Sequence, residues 1–495
     1  MNPSHRVSAR RLADAGWLTI LPLILNFISL GSNGYIIRLL GESGYGTLVV
    51  ALGLSGATTL LSNLGLRALY TKAVAGADDT TTEQLISEQL GLRLWLGLLA
   101  GVLAVSAAML LYPDDPGIIL CTSIQALGVV VWVAWTVLAD VLNARERFAE
   151  NTRIAFAAGL ALTLTSVVAA ALGGGPVAVA AAYLIGPLVN FGLLHRTLAQ
   201  SGLVVRFGGA SWPRYRKLLR DARALAANDV LYMLQGRAEG IWAPLLFGKS
   251  LMGVQGAGML PSSRLEMASD GVATAYFSAM AAAHRNDDDA GVRQQATGMF
   301  TLMLVATLPM VIFLWFGAPY VALLLFPSAN QVQSAELCTF IIRVGGFALP
   351  ISGSSIATRY ALQSVGLHSR NAKDQMLSML LGAGVALTLA FTIGIKGLVI
   401  ATLSKAVLLQ SIQARTFLRR FPDLWSALPW GRLLAASTVP LLILGGGLGL
   451  ADSPGMVHAA VVAAVAATGY VAAVLRGGLI EIPRTGAAIP ETSEG

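Results

Sequence analysis

Ionisable side chains inside long apolar runs are the first residues of this chain that could do chemistry. Between Asp221 and Ala283 the sequence reads as two long apolar helices. The first holds Asn228, Asp229, Gln235, Arg237 and Glu239; the second holds Pro261, Arg264, Glu266 and Asp270. A charge near a bilayer centre costs about 2.5–3.5 kcal/mol or more, so such a set must face its own members, a hydrated cavity or a ligand. Asn228, Tyr232, Gln235 and Glu239 fall on one helical face, and Glu266 and Asp270 lie one turn apart on another. Pro261 removes a backbone hydrogen bond, which suits a kink over a cavity. A carboxylate in low dielectric can carry a proton or hold a cation, which makes Asp229, Glu239 and Asp270 candidates for ion coupling. The competing reading of the same residues is a set of buried salt bridges that staple helices together.

Weaker polar lines run through other apolar stretches. Asn26, Ser29 and Asn33 recur at helical spacing, as do Thr59, Asn63, Arg67 and Tyr70. Trp132, Thr136, Asp140 and Asn143 share a face, and Asp140 is expected to pair with Arg145 or Arg147. Arg343 and Lys405 also sit inside apolar runs. A buried arginine offers a bidentate fork for phosphate and a lysine a point charge. Snorkelling is the alternative for Arg67, and structural pairing for Arg343 and Lys405.

The elements that must position these groups follow from composition. The chain has 495 residues, of which 55% are hydrophobic and 12% charged. A soluble domain carries about 25% charged residues. About fourteen apolar runs reach the ~20 residues a membrane span needs, which predicts an all-α polytopic membrane protein. Arg6, Arg10 and Arg11, then Arg145 and Arg147, then the run from Arg196 to Arg223, then Arg370 and Lys373, and finally Arg415, Arg419 and Arg420 all fall on one side. That bias places both termini in the cytoplasm and accounts for the net charge of +8 without nucleic acid. Leu39–Gly46 (LLGESGYG) echoes Leu246–Gly253 (LFGKSLMG) at the same topological position, which predicts two parallel six-helix repeats. The expected organisation is a lobe over 1–198, a basic linker over 199–221, a second lobe over 222–420, an added hairpin over 421–482 and a disordered tail over 483–495. The linker reads either as a solvated connector or as an amphipathic segment on headgroups. No Walker A motif, metal-ligand cluster or Ser/His/Asp arrangement is legible, so neither a cofactor nor a metal is expected. Cys121 and Cys338 read as ordinary buried thiols.

Several stretches resemble the lipid-linked oligosaccharide flippases of the polysaccharide transporter group, in the superfamily that also holds multidrug/cation antiporters and peptidoglycan-precursor flippases. Arg38-Leu39-Leu40-Gly41 with Gly44-Tyr45-Gly46 resembles the outer turn after helix one, and Asn63-Leu64-Gly65-Leu66 the exit of helix two. Leu142–Phe148 (LNARERF) resembles the inner turn after helix four, and Arg264 falls where the group often has an arginine in helix eight. Pro309, Pro319 and Phe326-Pro327 match the ninth-helix region, and Gly397-Leu398 through Ser404 the start of helix twelve. One departure is Arg237-Ala238-Glu239, where members often carry an Asp followed by a basic residue. The resemblance implies two six-helix lobes in a V around a central, often cationic cavity; here the buried acids and bases are nearly balanced.

With the resemblance, the leading expectation is a flippase of the cell inner membrane. It would carry an isoprenoid-diphosphate-linked oligosaccharide between leaflets for surface polysaccharide synthesis, beside other polysaccharide-assembly membrane proteins. Arg264 and then Arg343 would hold the diphosphate, with Arg237, Asn26, Asn33, Asn63, Arg67, Asn228 and Gln235 lining the path. A proton- or sodium-coupled multidrug antiporter is the alternative. A membrane polymerase or ligase would need substantial outer loops, which this chain lacks.

Overall fold

The computed structural model describes residues 9–479 apart from 65, 75–76, 146, 209, 238, 328–330 and 450–454; the tail expected over 483–495 lies outside the described residues. The helices in order are α1 (Ala9–Thr58), α2 (Leu60–Asn63), α3 (Leu66–Val74), α4 (Asp79–Leu111), α5 (Pro116–Ala144), α6 (Phe148–Ala171), α7 (Gly175–Ala182), α8 (Ile185–Gln200) and α9 (Trp212–Arg237). They continue with α10 (Glu239–Arg285), α11 (Asp289–Leu325), α12 (Val332–Ser364), α13 (His368–Ile393), α14 (Ile395–Arg420), α15 (Leu424–Ala427), α16 (Trp430–Gly449) and α17 (Met456–Arg476). Among the described residues, 11 helices are long and apolar enough to cross a membrane. The architecture is all-α, consistent with about fourteen crossings once bent helices count as two arms.

The two bends carry the repeat seen in the sequence. Gly41 bends α1 at φ 66°, ψ −179°, and Gly248 bends α10 at φ 76°, ψ 163°. Side chains avoid this left-handed backbone and glycine does not, so the same turn recurs where LLGESGYG and LFGKSLMG match. Both α1 and α10 thus double back at one end of the bundle, the turn end. The loops rich in Arg and Lys lie at the other, the basic end.

Apolar packing differs between the two ends. At the turn end one cluster joins Ile37, Tyr45 and Leu48 of α1 and Cys121 of α5 to Val254 and Ala257 of α10 and to Leu325, Cys338 and Ile341 of α11 and α12, and a second joins Val50 and Ile118 to Met252 and Leu398. Both cysteines are free and buried there, as expected. Toward the basic end the core divides. Tyr70, Ile86, Val137, Leu142 and Leu194 form a cluster within the first lobe. Phe300, Ile356, Phe417 and Phe421 form another in the second, which Leu433 and Tyr470 of the added hairpin join. The lobes therefore share a core at one end, whereas at the other their larger clusters are separate and only the start of α9 crosses to the first lobe.

Two expected spans are interrupted. Residues 45–71 read as one helix, yet the chain leaves helical geometry near Thr59 and again at Leu64, which has φ 39°. Span six breaks between α7 and α8, where Pro187 has no amide hydrogen to return to the Tyr183 carbonyl. The basic linker is neither wholly a loop nor free: α9 begins at Trp212, and Tyr215 and Ala222 pack on Leu66 and Leu92 of the first lobe. Arg214 pairs there with Glu88 at 2.9 Å.

Candidate functional site: polar groups at the lobe boundary

Most of the expected charges in the described spans are met inside their own lobe. Arg67 of α3 donates from Nε to Asp140 Oδ1 at 2.8 Å, and Arg93 Nη1 of α4 lies 3.7 Å from Asp140 Oδ2. Asp140 and Arg93 are each 1% exposed. The expectation that Asp140 pairs with Arg145 or Arg147 is wrong: Arg145 reaches Asp79 at 2.6 Å, and Arg147 reaches Glu150 at 2.6 Å. Those arginines lie beyond the end of α5, whereas Asp140 turns inward to α3 and α4. Arg93 also donates to the Ser62 carbonyl at 3.3 Å and to Thr136 Oγ1 at 3.1 Å. It thereby caps a carbonyl released by the break before α3, next to half-buried Asn63. Sequence reasoning missed Arg93, although a lone arginine in the apolar run of α4 was a visible signal.

In the second lobe Lys405 Nζ lies 2.5 Å from Glu239 Oε1, with the two side chains 12% and 16% exposed. Glu239 was a candidate for ion coupling; its charge is balanced by a lysine of α14, which fits the staple alternative and the pairing expected of Lys405. Arg343 of α12 donates to the Trp315 carbonyl at 3.1 Å, and its guanidinium lies over the Trp315 ring at 4.9 Å. The side chains of Asn228, Asp229, Gln235, Arg237 and Asp270 lie outside the described residues.

A different kind of site forms where α10 faces the first lobe. Half-buried Arg264 lies within electrostatic reach of the hydroxyls of Tyr45 (α1) and Tyr183 (between α7 and α8), and Tyr45 lies within reach of Tyr183. Tyr183 Oη lies 3.5 Å from Asn33 Oδ1, and Asn33 Nδ2 donates to the Ser29 carbonyl at 2.7 Å and to Ser29 Oγ at 3.1 Å. Asn26 continues this polar line, half-buried, toward the basic end. Among the described residues no carboxylate pairs with Arg264. The arrangement is thus one guanidinium of the second lobe set against two phenols and an amide of the first. Five N–H donors on a fixed fork, without a carboxylate partner among the described residues, suit a phosphate or diphosphate. Phenol and amide groups suit sugar hydroxyls. Arg264 and Asn33 are legible from sequence. Tyr45 lies within a turn motif, and Tyr183 is betrayed only by Pro187 four residues on.

Known structures share this architecture. The lipid II flippase MurJ in an inward closed conformation aligns with a TM-score of 0.70 at 12% identity, over 92% of this chain and 97% of that one. An inward-facing multidrug resistance MATE transporter of the MOP superfamily aligns with a TM-score of 0.65 at 17% identity, over 83% and 99%. A MOP superfamily transporter from Pyrococcus furiosus aligns with a TM-score of 0.57 at 17% identity, over 83% and 96%. These likenesses establish the MATE/MurJ-like fold. No protein of curated function matches the sequence. The polysaccharide biosynthesis protein family model matches residues 36–335, a stretch that runs from the first bend through both arms of α10 to the start of α12, and on that match the chain belongs to the polysaccharide biosynthesis protein family.

Proposed function

We propose that this protein is a flippase that moves an isoprenoid-diphosphate-linked oligosaccharide across the cytoplasmic membrane by alternating access. The observation that carries the reading is Arg264, a guanidinium at the lobe boundary with no carboxylate partner among the described residues. An uncompensated charge inside a bundle is costly, and the electrostatic reach of this one to Tyr45 and Tyr183 of the first lobe supports a position at the boundary. Saccharide and diphosphate cannot cross hydrocarbon without polar partners. Arg264 supplies a countercharge, Tyr45, Tyr183 and Asn33 supply hydrogen bonds, and the isoprenoid stays in the bilayer. Rocking of the lobes about their shared turn-end core changes the side to which these groups are open. The family match and the likeness to a lipid II flippase support a lipid-linked substrate. The basic loops put both termini in the cytoplasm, so transport runs from the basic end to the turn end. The Lys405–Glu239 pair weighs against the cation antiporter, because it removes an acid that an organic cation would use.

The test is flipping in proteoliposomes containing isoprenoid-diphosphate-linked oligosaccharides. Arg264→Ala is expected to lower the initial rate at least tenfold, with Arg264→Lys between the two. Headgroup binding should weaken in parallel and should fall with ionic strength. An Arg264→Ala protein that flips and binds as well as wild type would refute the assignment.

A further inference from the structure

The bends at Gly41 and Gly248 do more than turn the chain. They bring α1 and α10 into backbone contact above the polar site. A Cβ on Gly46 would stand 1.8 Å from the Lys249 carbonyl oxygen. A Cβ on Gly253 would stand 2.1 Å from the Glu42 carbonyl oxygen and 2.9 Å from the Gly46 nitrogen. The same number of residues separates Gly41 from Gly248, Glu42 from Lys249 and Gly46 from Gly253, so the two contacts are copies of one another about the pseudo-two-fold relating the lobes. Each sets a glycine Cα against a carbonyl with no side chain between, the closest approach two helices can make. Gly256 sits against Val49 and Tyr45 one turn below, and a Cβ there would come within 2.6 Å of Val49 Cγ2. Tyr45, Leu48, Val254 and Ala257 close the layer beneath the crossing with apolar side chains.

Lys249 also reaches sideways. Its Nζ lies 2.5 Å from Asp115 Oδ2 in the turn between α4 and α5. Asp115 is fixed in turn, since its Oδ1 accepts the Ile118 amide at 3.2 Å and caps α5. One residue of the second lobe thus gives its carbonyl to the glycine contact and its ammonium to an acid of the first lobe.

We propose that this crossing is the gate at the turn end, with Gly46 and Gly253 as its seal and the Asp115–Lys249 pair as its latch. While the glycines touch, the Arg264 site communicates with the basic end; when they part, it opens to the turn end. This rests on the transport reading of that site, but the gate itself is a conformational statement and is read without any substrate. The contact is backbone on backbone, so no rotamer change relieves an added methyl group. Alanine at either glycine must spread the helices until the Cβ–oxygen separation exceeds about 3 Å. Because the contacts are copies, either substitution should have the same effect.

The experiment uses the full chain in liposomes with Cys121 and Cys338 replaced by serine. Spin labels are placed at Leu172→Cys in the first lobe and Glu336→Cys in the second, both exposed at the turn end. Wild type should give one dominant distance. Gly46→Ala and Gly253→Ala should each move most of the population to a longer one, and Asp115→Asn should move a smaller share. Gly192→Ala, whose added Cβ meets nothing within 4 Å, should match wild type. Exchanging the charges, Asp115→Lys with Lys249→Asp, should restore the wild-type distribution that either change alone disturbs. Distributions unchanged by both alanines, or shifted as much by Gly192→Ala, would overturn the gate. A short thiol cross-linker between Asp115→Cys and Lys249→Cys should stop flipping until it is cleaved; a cross-linked protein flipping at the uncross-linked rate would also overturn it. Distances that shift as expected in a protein that flips no lipid-linked saccharide would leave the gate standing and remove the flippase reading instead.

Discussion

Replacing Asp140 by leucine should be among the most damaging single changes in the first lobe, and replacing its partner as well should undo most of the damage. Asp140 holds two arginines of unequal exposure. The Arg67 side chain is 56% exposed and can turn toward solvent, whereas Arg93 is 1% exposed and cannot. Removing the carboxylate leaves Arg93 as an uncompensated buried charge, which costs about 3–5 kcal/mol. Arg93→Met is milder. Asp140 keeps Arg67 at 2.8 Å and Thr136 keeps its bond to the Val133 carbonyl, so the main loss is the partner of the Ser62 carbonyl, about 1–3 kcal/mol. In Asp140→Leu/Arg93→Met the buried charge is gone and that carbonyl is again the principal loss, about 1–3 kcal/mol. The expected order of stability is wild type, then Arg93→Met and the double variant together, then Asp140→Leu. The coupling energy is about 3 kcal/mol or more, well outside the additivity error of about 0.5 kcal/mol. Unfolding in mixed micelles titrated with a denaturing detergent, followed by circular dichroism, measures all four proteins. A double variant whose loss equals the sum of the single losses would refute the account of Asp140 as counter-ion to Arg93.

The Glu239–Lys405 pair should behave in the same way in the second lobe. Glu239→Gln and Lys405→Met should each destabilise, and their combination should recover most of the loss; if the pair is a staple, the dependence of flipping on sodium and proton gradients should be the same in the double variant as in wild type. For the latch at the turn end, burial pushes the Asp115 carboxyl up, but the Lys249 ammonium and the Ile118 and Gly117 amides hold it below its ordinary value of 3.8. A lowered folded value means that the stabilisation is present above the ordinary carboxylate range and is lost as pH falls through the lowered one. The stability difference between wild type and Asp115→Asn should therefore be constant from pH 8 to about pH 5 and shrink only below about pH 4, as thermal unfolding across that range would read.

The sequence disclosed the architecture through features that are local. The repeat was visible because a positive-φ turn demands glycine in both halves, so Gly41 and Gly248 survive as matching letters while the helices around them share little. Which charges pair is not local. Nearness in sequence points Asp140 toward Arg145 or Arg147, but α3 and α4 bring Arg67 and Arg93 to it from other parts of the chain. The break in span two was equally hard to see, since Leu64 shows nothing in its own chemistry of the left-handed turn it adopts. Arg264 is conspicuous as an arginine in an apolar run, whereas Tyr45 and Tyr183 are not, because a tyrosine in such a run is ordinary.

The distribution of ion pairs bears on how such a molecule could move. Arg67, Arg93 and Asp140 belong wholly to the first lobe, and Glu239 and Lys405 wholly to the second. A rocking motion would carry each of these sets as a rigid unit, and none of these five charges would lose its partner along the way. Had Arg67 paired with Glu239, every cycle would have to separate two charges in low dielectric, at several kcal/mol per ion. The pairs Asp115–Lys249 and Glu88–Arg214 do join helices across the lobes, but each has a partly exposed basic partner that water can take over. What changes surroundings on rocking is then the glycine crossing and the polar groups beneath it: Arg264 on one side, Tyr45, Tyr183 and Asn33 on the other. Pairing within lobes keeps the barrier to motion low, and among the described residues it leaves Arg264 at the boundary without a carboxylate partner, free to be neutralised by a diphosphate.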